Sequence, residues 1–198
     1  MAQVKKPEVR QAILAAATQL FTDQGYHHTT VAQIAGKAKV STANVYVYFQ
    51  SKIDILYSIY EPWLRDRLTR LDRELRAEPA SEQRLFKLLH ALWCEIPSEN
   101  NGFANNFMQA ITAEPPENGY RPELLQWARR RITAMLRDAL PPERRKAIAR
   151  PRFTHLLLMA FDGFVIGRHL YPDAKCDDTT IALMTKLILG SALPAKRT

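Results

Sequence analysis

Apolar residues recur at helical spacing along nearly the whole chain, and strand-like alternation is almost absent. That periodicity limits the fold to helices packed on helices. Ile13, Ala16, Ala17, Leu20 and Phe21 share one face of a first helix. Pro7 suits its first turn and Gly25 its end. Thr30 can cap a short helix that buries Val31, Ile34 and Ala35. Ser41 can cap another that runs through Val45 and Phe49. Ser51 and Asp54 have the spacing of a capping box, opening a long helix through Leu56, Ile59, Leu64, Leu68 and Leu71. Pro62 should kink that helix near Tyr60 or Glu61. Further helices are expected over 81–97, about 101–113, 122–140, 152–171 and about 178–193. A single turn is expected in the connection "PPERRKAIARP". The fold class is all-α.

The net charge of +8 is concentrated toward one end. The first 52 residues carry Lys5, Lys6, Arg10, Lys37, Lys39 and Lys52 against Glu8 and Asp23, half the net charge in about a quarter of the length. This is the footprint of a surface that meets a polyanion. The most apolar run, "LLLMAF" at 156–161, stops at Asp162, short of the roughly 18 residues that suggest a membrane span. The beginning of the sequence lacks the apolar segment of a secretory signal, so the expected location is the cytoplasm, with no membrane partner. Cys94 and Cys176 stand far apart and are expected as thiols; neither a zinc site nor any other metal or cofactor site is expected.

Three helices near 8–24, 31–38 and 42–48 make one compact unit. About four residues join the second and third, the connection of a helix-turn-helix. In that motif the second helix of the pair enters the DNA major groove and its first residues meet base edges. Those positions hold Thr42, Ala43 and Asn44. Small side chains allow close approach, Thr offers a hydroxyl or methyl, and Asn can pair with adenine. Tyr46 and Tyr48 lie farther along, with hydroxyls in reach of phosphates, and Lys52 adds charge at the start of the next helix. Phe49 reads better as core, and for Tyr46 core and contact are both open.

Residues 13–56, "ILAAATQLFTDQGYHHTTVAQIAGKAKVSTANVYVYFQSKIDIL", resemble the DNA-binding domain of the TetR/AcrR family of transcriptional regulators. An Ala-rich first helix is followed by LF, GY, TTV, IA, VS, Y-x-YF and SK at matching spacing. The resemblance implies an all-α homodimer. Its N-terminal three-helix helix-turn-helix domain would span 1–52, and its C-terminal helical ligand-binding and dimerisation domain 53–198. It implies base contacts from Thr42, Ala43 and Asn44 and phosphate contacts from Thr30, Tyr46, Tyr48 and Lys52, on double-stranded operator DNA. The sequence departs from the pattern at the turn, where Lys39 replaces a common glycine. Lys39 either accepts positive φ and gains a phosphate contact, or the turn differs.

The helices over 152–171 and 178–193 carry more apolar surface than one subunit's core needs, and the resemblance implies that they pair two subunits as a four-helix bundle. Candidate contacts for an unidentified small-molecule effector are His90, Trp93, Phe103, Phe107, Met108, Trp127, Phe161 and Arg168, with Asn105, Asn106 and Gln109 as further polar groups. Such a mixture suits a hydrophobic or aromatic ligand. An enzyme is the weaker alternative, since no P-loop, G-x-G-x-x-G, H-E-x-x-H or G-x-S-x-G occurs. A DNA-binding protein that takes no ligand is a further alternative.

Overall fold

The computed structural model describes residues 6–113, 121–171 and 177–191, without the side chains of Ala147, Arg168 and His169. Among the described residues every regular element is helical. The N-terminal three are α1 (Pro7–His28), α2 (Val31–Lys37) and α3 (Thr42–Tyr48). They are followed by the long α4 (Lys52–Ala77) and by α5 (Ser81–His90), which passes through a π turn (Ala91–Glu95) into the short α6 (Ile96–Ser98). The remainder are α7 (Phe103–Ala113), α8 (Pro122–Ala139), α9 (Pro142–Ile148), α10 (Pro151–Leu170) and α11 (Asp178–Leu189). None of these helices is long and apolar enough to cross a membrane.

Two compact units divide the chain: Met1–Leu64 with Glu99–Pro122, and Arg65–Ser98 with Glu123–Thr198. In the first, α1 packs on α2 and α7, and α2 packs on α3. Its core holds Ile13, Ala17, Phe21, Tyr26, Ile34, Val45, Phe49, Leu56 and Tyr57. Gly25 breaks α1 near its end, with φ 81° and ψ 165°. A side chain there would be strained, and its Cβ would meet the Gln109 carboxamide at 3.0 Å.

The break leaves backbone groups that no longer bond within α1, and α7 supplies partners. Asn106 accepts from the Tyr26 amide at 2.7 Å and donates to the Phe21 carbonyl and the Tyr60 hydroxyl, each at 3.0 Å. Gln109 accepts from the His27 amide at 2.9 Å. Burial holds the Tyr60 hydroxyl above the usual phenol range, against the opposing effect of the Asn106 bond, so Tyr60 stays a donor to the Asn101 carbonyl at 2.9 Å. Asn106 is itself buried, and its amide is committed to the protein rather than to a ligand.

In the second unit α5 packs on α11, and the π turn packs on α10. Leu68, Leu71, Leu85, Leu88, Ile132, Leu136, Ile181 and Ile188 are buried there. Buried Asp72 accepts from Arg131 at 2.8 Å and from Arg76 at 3.2 Å. Leu156, Met159, Ile166 and Leu170 on α10 and Leu183 and Leu187 on α11 are left exposed.

α4 is one helix from Lys52 to Ala77 with Pro62 inside it. Three expectations change. At the start of α4, the Ser51 hydroxyl accepts from the Asp54 amide at 3.2 Å as expected, but Asp54 reaches to the Gln50 amide at 3.0 Å. The connection after residue 140 holds two turns of helix, α9, because Pro142 supplies a good first residue. The thiol expected at Cys94 is instead a disulfide sulfur. Cys176, the other cysteine in the sequence, lies outside the described residues. Sequence separation alone carried no information about that bond.

Replacing Asn106 by Leu should lower stability by about 1–3 kcal/mol, because the Tyr26 amide and Phe21 carbonyl lose their partner inside the core. Urea unfolding followed by circular dichroism checks this, with Asn105→Leu, at an exposed neighbouring position, as the control.

Candidate nucleic-acid interface

The helix-turn-helix is built from local bonds that its own residue types supply. Thr30 caps α2 through a reciprocal pair: its hydroxyl accepts from the Gln33 amide at 3.2 Å, and the Gln33 carboxamide accepts from the Thr30 amide at 2.8 Å. At the other end of α2 the Val40 amide donates to the Ala35 carbonyl at 3.0 Å and the Lys39 amide to the Gly36 carbonyl at 3.1 Å. These two bonds form a Schellman motif, whose C′ residue adopts the left-handed conformation. Here that residue is Lys39, with φ 56°. Lysine therefore takes the backbone conformation that glycine would take, and the turn closes as the motif requires. Ser41 then caps α3, its hydroxyl accepting from the Asn44 amide at 3.1 Å.

On α3 only Val45 is buried, and Phe49 just past its end is 2 % exposed. Phe49 is a core residue, as its position suggested, and the Arg10 guanidinium lies 5.3 Å from its ring centroid. Thr42 and Ala43 are exposed. Tyr46 is 54 % exposed, which removes it from the core. Asn44 is half-buried, and among the described residues its Oδ1 finds no hydrogen-bond partner. Ser41, Ala43, Asn44 and Val47 line a shallow hollow of about 250 Å³. That oxygen is buried, so Asn44 meets a base edge only if its side chain turns outward, beside two exposed short side chains.

The remaining expected contact residues are placed less simply. Thr30 is exposed, but its hydroxyl already serves as a cap. Tyr48 is half-buried, and its hydroxyl accepts from the Lys6 amide at 2.9 Å, tying α3 to the start of α1. Lys52 donates to the carbonyls of Tyr26 at 2.9 Å and Thr29 at 3.0 Å, with its ammonium 4.0 Å from the Tyr26 ring centroid. It acts as a cationic cap on the end of α1, where the helix dipole is negative. The bonds to Lys6 and Arg10 were not expected; they span about 40 residues, and no local sequence signal announces them.

The residues proposed for an effector fall in both units. In the first, Phe103 and Phe107 lie edge-on or tilted against Tyr60 and Tyr57, and Trp63 lies 4.6 Å from Phe103. Met108 is half-buried on the same helix, α7. In the second, Trp93 stacks on Phe164 at 5.5 Å and donates its indole N–H to the Leu157 carbonyl at 2.9 Å. His90 faces Glu95 at 3.0 Å and Asp178 at 3.5 Å. Trp127 lies under the Arg65 guanidinium at 4.5 Å. Phe161 is half-buried on α10, and the Arg168 side chain lies outside the described atoms.

The packing of α2 on α3 across a short turn is that of a helix-turn-helix. Residues 13–59 match the family described as bacterial regulatory proteins, tetR family. The regulator HbdR of Aromatoleum sp. (strain CIB) is 41% identical over 86 residues, covering 43% of this chain and 36% of the relative. A fatty acid metabolism regulator protein of Bacillus subtilis (strain 168) is 26% identical over 97 residues, covering 49% and 50%. The chain thus spans a third to a half of the length of these curated relatives. The crystal structure of FadR from Bacillus subtilis in complex with stearoyl-CoA shares the fold, with TM-score 0.64 and 18% identity over 92% of this chain and 99% of that one.

Lys39→Gly should stabilise the protein by about 1 kcal/mol, because the left-handed conformation costs a side chain roughly 1–2 kcal/mol. Lys39→Val should destabilise it, since a β-branched residue tolerates positive φ least. Thermal unfolding of the two variants tests the sign of each change.

Proposed function

We propose that the protein is a dimeric, cytoplasmic transcriptional regulator, most simply a repressor, released from a palindromic operator by a small hydrophobic or aromatic ligand. One observation carries the DNA-binding part. The capped start of α3 leaves Thr42 and Ala43 exposed beside half-buried Asn44, where Ser41, Ala43, Asn44 and Val47 line a shallow hollow. Residues 1–52 are the proposed DNA-binding domain and 53–198 the ligand-binding and dimerisation domain. In this reading Thr42, Ala43 and Asn44 meet base edges. Thr30, Lys39, Tyr46 and Tyr48 meet the phosphate backbone. Lys52 adds its field there and holds the end of α1.

Dimerisation is supported by the stripe of Leu156, Met159, Ile166 and Leu170 on α10, joined by Leu183 and Leu187 on α11. The α10 residues recur at intervals of three, seven and four, so they share one face of the helix. An exposed apolar stripe of this length fits a second copy of the chain better than solvent. A two-fold dimer also supplies two recognition helices about 34–36 Å apart, the spacing of successive major grooves. The ligand part is supported by the aromatic clusters around Phe103 and Trp93 and by the stearoyl-CoA held by the structural neighbour from Bacillus subtilis. His90, Trp93, Phe103, Phe107, Met108, Trp127, Phe161 and Arg168 remain the proposed effector contacts.

Operator selection from genomic fragments, followed by binding titrations, tests the first part. Asn44→Ala should cost about 1–3 kcal/mol on the selected operator and much less on random duplex. Equal weakening on both would remove Asn44 from base reading.

Leu187→Glu should split the dimer, because an unpaired charge in a closed apolar interface costs several kcal/mol. Sedimentation reads the assembly directly, and operator affinity should fall with it. A variant that sediments as a dimer places the interface elsewhere.

A further inference from the structure

Residues 129–152 hold eight arginines, and the structure sorts them into two groups. Four are tied to the protein. Arg131 bonds Asp72 at 2.8 Å, Arg144 the Ile188 carbonyl at 3.0 Å, Arg145 the Leu140 carbonyl at 2.9 Å, and Arg150 the Lys146 carbonyl at 2.7 Å. The other four line two hollows that share Arg129 and Pro151. One hollow, of about 320 Å³, has Arg129, Arg130 and Arg137 on its rim; the other, of about 460 Å³, adds Arg152 and His155. Arg137 touches only its neighbour Asp138 at 3.2 Å, while Asp138 also faces Arg76 at 3.8 Å. Among the described residues, no carboxylate lies within ion-pair distance of Arg129, Arg130 or Arg152.

Arg129, Arg130 and Arg152 have no such counter-charge, so they repel one another, and a concave wall concentrates their field. The lining between them includes the apolar Ala134, Ala149 and Pro151. Guanidinium forks match phosphate oxygens in pairs. An apolar lining beside a cationic rim suits an anion that carries an organic body, and the volumes are those of small-molecule sites. A duplex would instead meet a broad cationic face.

We propose that this cleft between α8 and the α9–α10 junction binds the phosphate-bearing end of an organic ligand, with Arg129, Arg130, Arg137 and Arg152 as the phosphate contacts. The proposal deepens the reading above by giving the hydrophobic effector an anionic end, and it rests on that reading only for its regulatory consequence.

Calorimetric titration of the full chain tests it with three probes. Coenzyme A carries phosphates on an organic body, pantetheine lacks the phosphates, and inorganic pyrophosphate lacks the body. Coenzyme A should bind, with affinity that falls as salt rises, and at least about tenfold more tightly than pantetheine or pyrophosphate. Arg129→Gln with Arg130→Gln should weaken coenzyme A at least about tenfold and leave thermal unfolding unchanged. Arg152→Gln alone, on a separate helix, should weaken it in the same direction, which keeps the test sound if the double variant folds poorly.

Undiminished binding by these variants, or no binding by the native chain, overturns the proposal. Pyrophosphate binding as tightly as coenzyme A would make the cleft a simple anion site and overturn the organic class. Operator affinity is measured without ligand on the same proteins. Variants that lose operator affinity instead of coenzyme A affinity would make the cleft a nucleic-acid contact, which also overturns it. A native chain that binds coenzyme A but no operator leaves the cleft standing and removes the regulator reading alone.

Discussion

The first unit depends on what happens where Gly25 stops α1. A helix end buried in a core must find partners for its last carbonyls and for the amides that follow. Here two different elements provide them. Asn106 and Gln109 come from α7, and Lys52 comes from the start of α4. Tyr26, fully buried, receives bonds at both its amide and its carbonyl. The end of α1 is therefore fixed in place by residues on α4 and α7. Because α2 and α3 pack in series from α1, the position of α3 inherits that constraint.

The same junction explains why Lys52 does not read from sequence as the structure places it. A lysine at a helix start, beside a basic motif, suggests an anion. Its bonds run instead to carbonyls 26 and 23 residues earlier, and the ring of Tyr26 shields one side of the ammonium. The charge still contributes to the field of the surface, since bonding two carbonyls does not neutralise it. Position and field are thus served by one side chain, and a variant that removes it disturbs both.

What could be read in advance follows the range of the interaction. The caps at Thr30, Ser41 and Ser51 involve residues within four positions of one another, so residue type and spacing announce them. The left-handed residue at the turn was legible as a position, although lysine is not the type that favours it. Asn106 was not legible: its partners lie 80 and 85 residues away on α1 and 46 away on α4, so it reads as just another polar residue among aromatics. The disulfide at Cys94 and the π turn that carries it were equally silent, because neither leaves a local pattern. Exposure divided α3 where periodicity could not. Tyr46 and Tyr48 are two residues apart on a seven-residue helix; one points to solvent, and the other reaches the start of α1.

The arginines of the second unit show the same distinction between a charge that holds the fold and a charge left available. Composition counts all eight alike. Only their partners separate them, because a guanidinium bonded to a backbone carbonyl completes a helix end, whereas one without a partner keeps its hydrogen-bonding capacity for a ligand. Arg144 and Arg145 on α9 reach carbonyls near the ends of α11 and α8, which fixes α9 just before the junction that lines the cleft. Arg129 and Arg130 on α8 then face a wall that is already held in place. The arginines bonded to carbonyls thus fix the surrounding helices, and those that line the hollow set its charge. A preformed cationic hollow loses little ordering entropy when an anion enters, which is the condition under which charge contributes most to affinity.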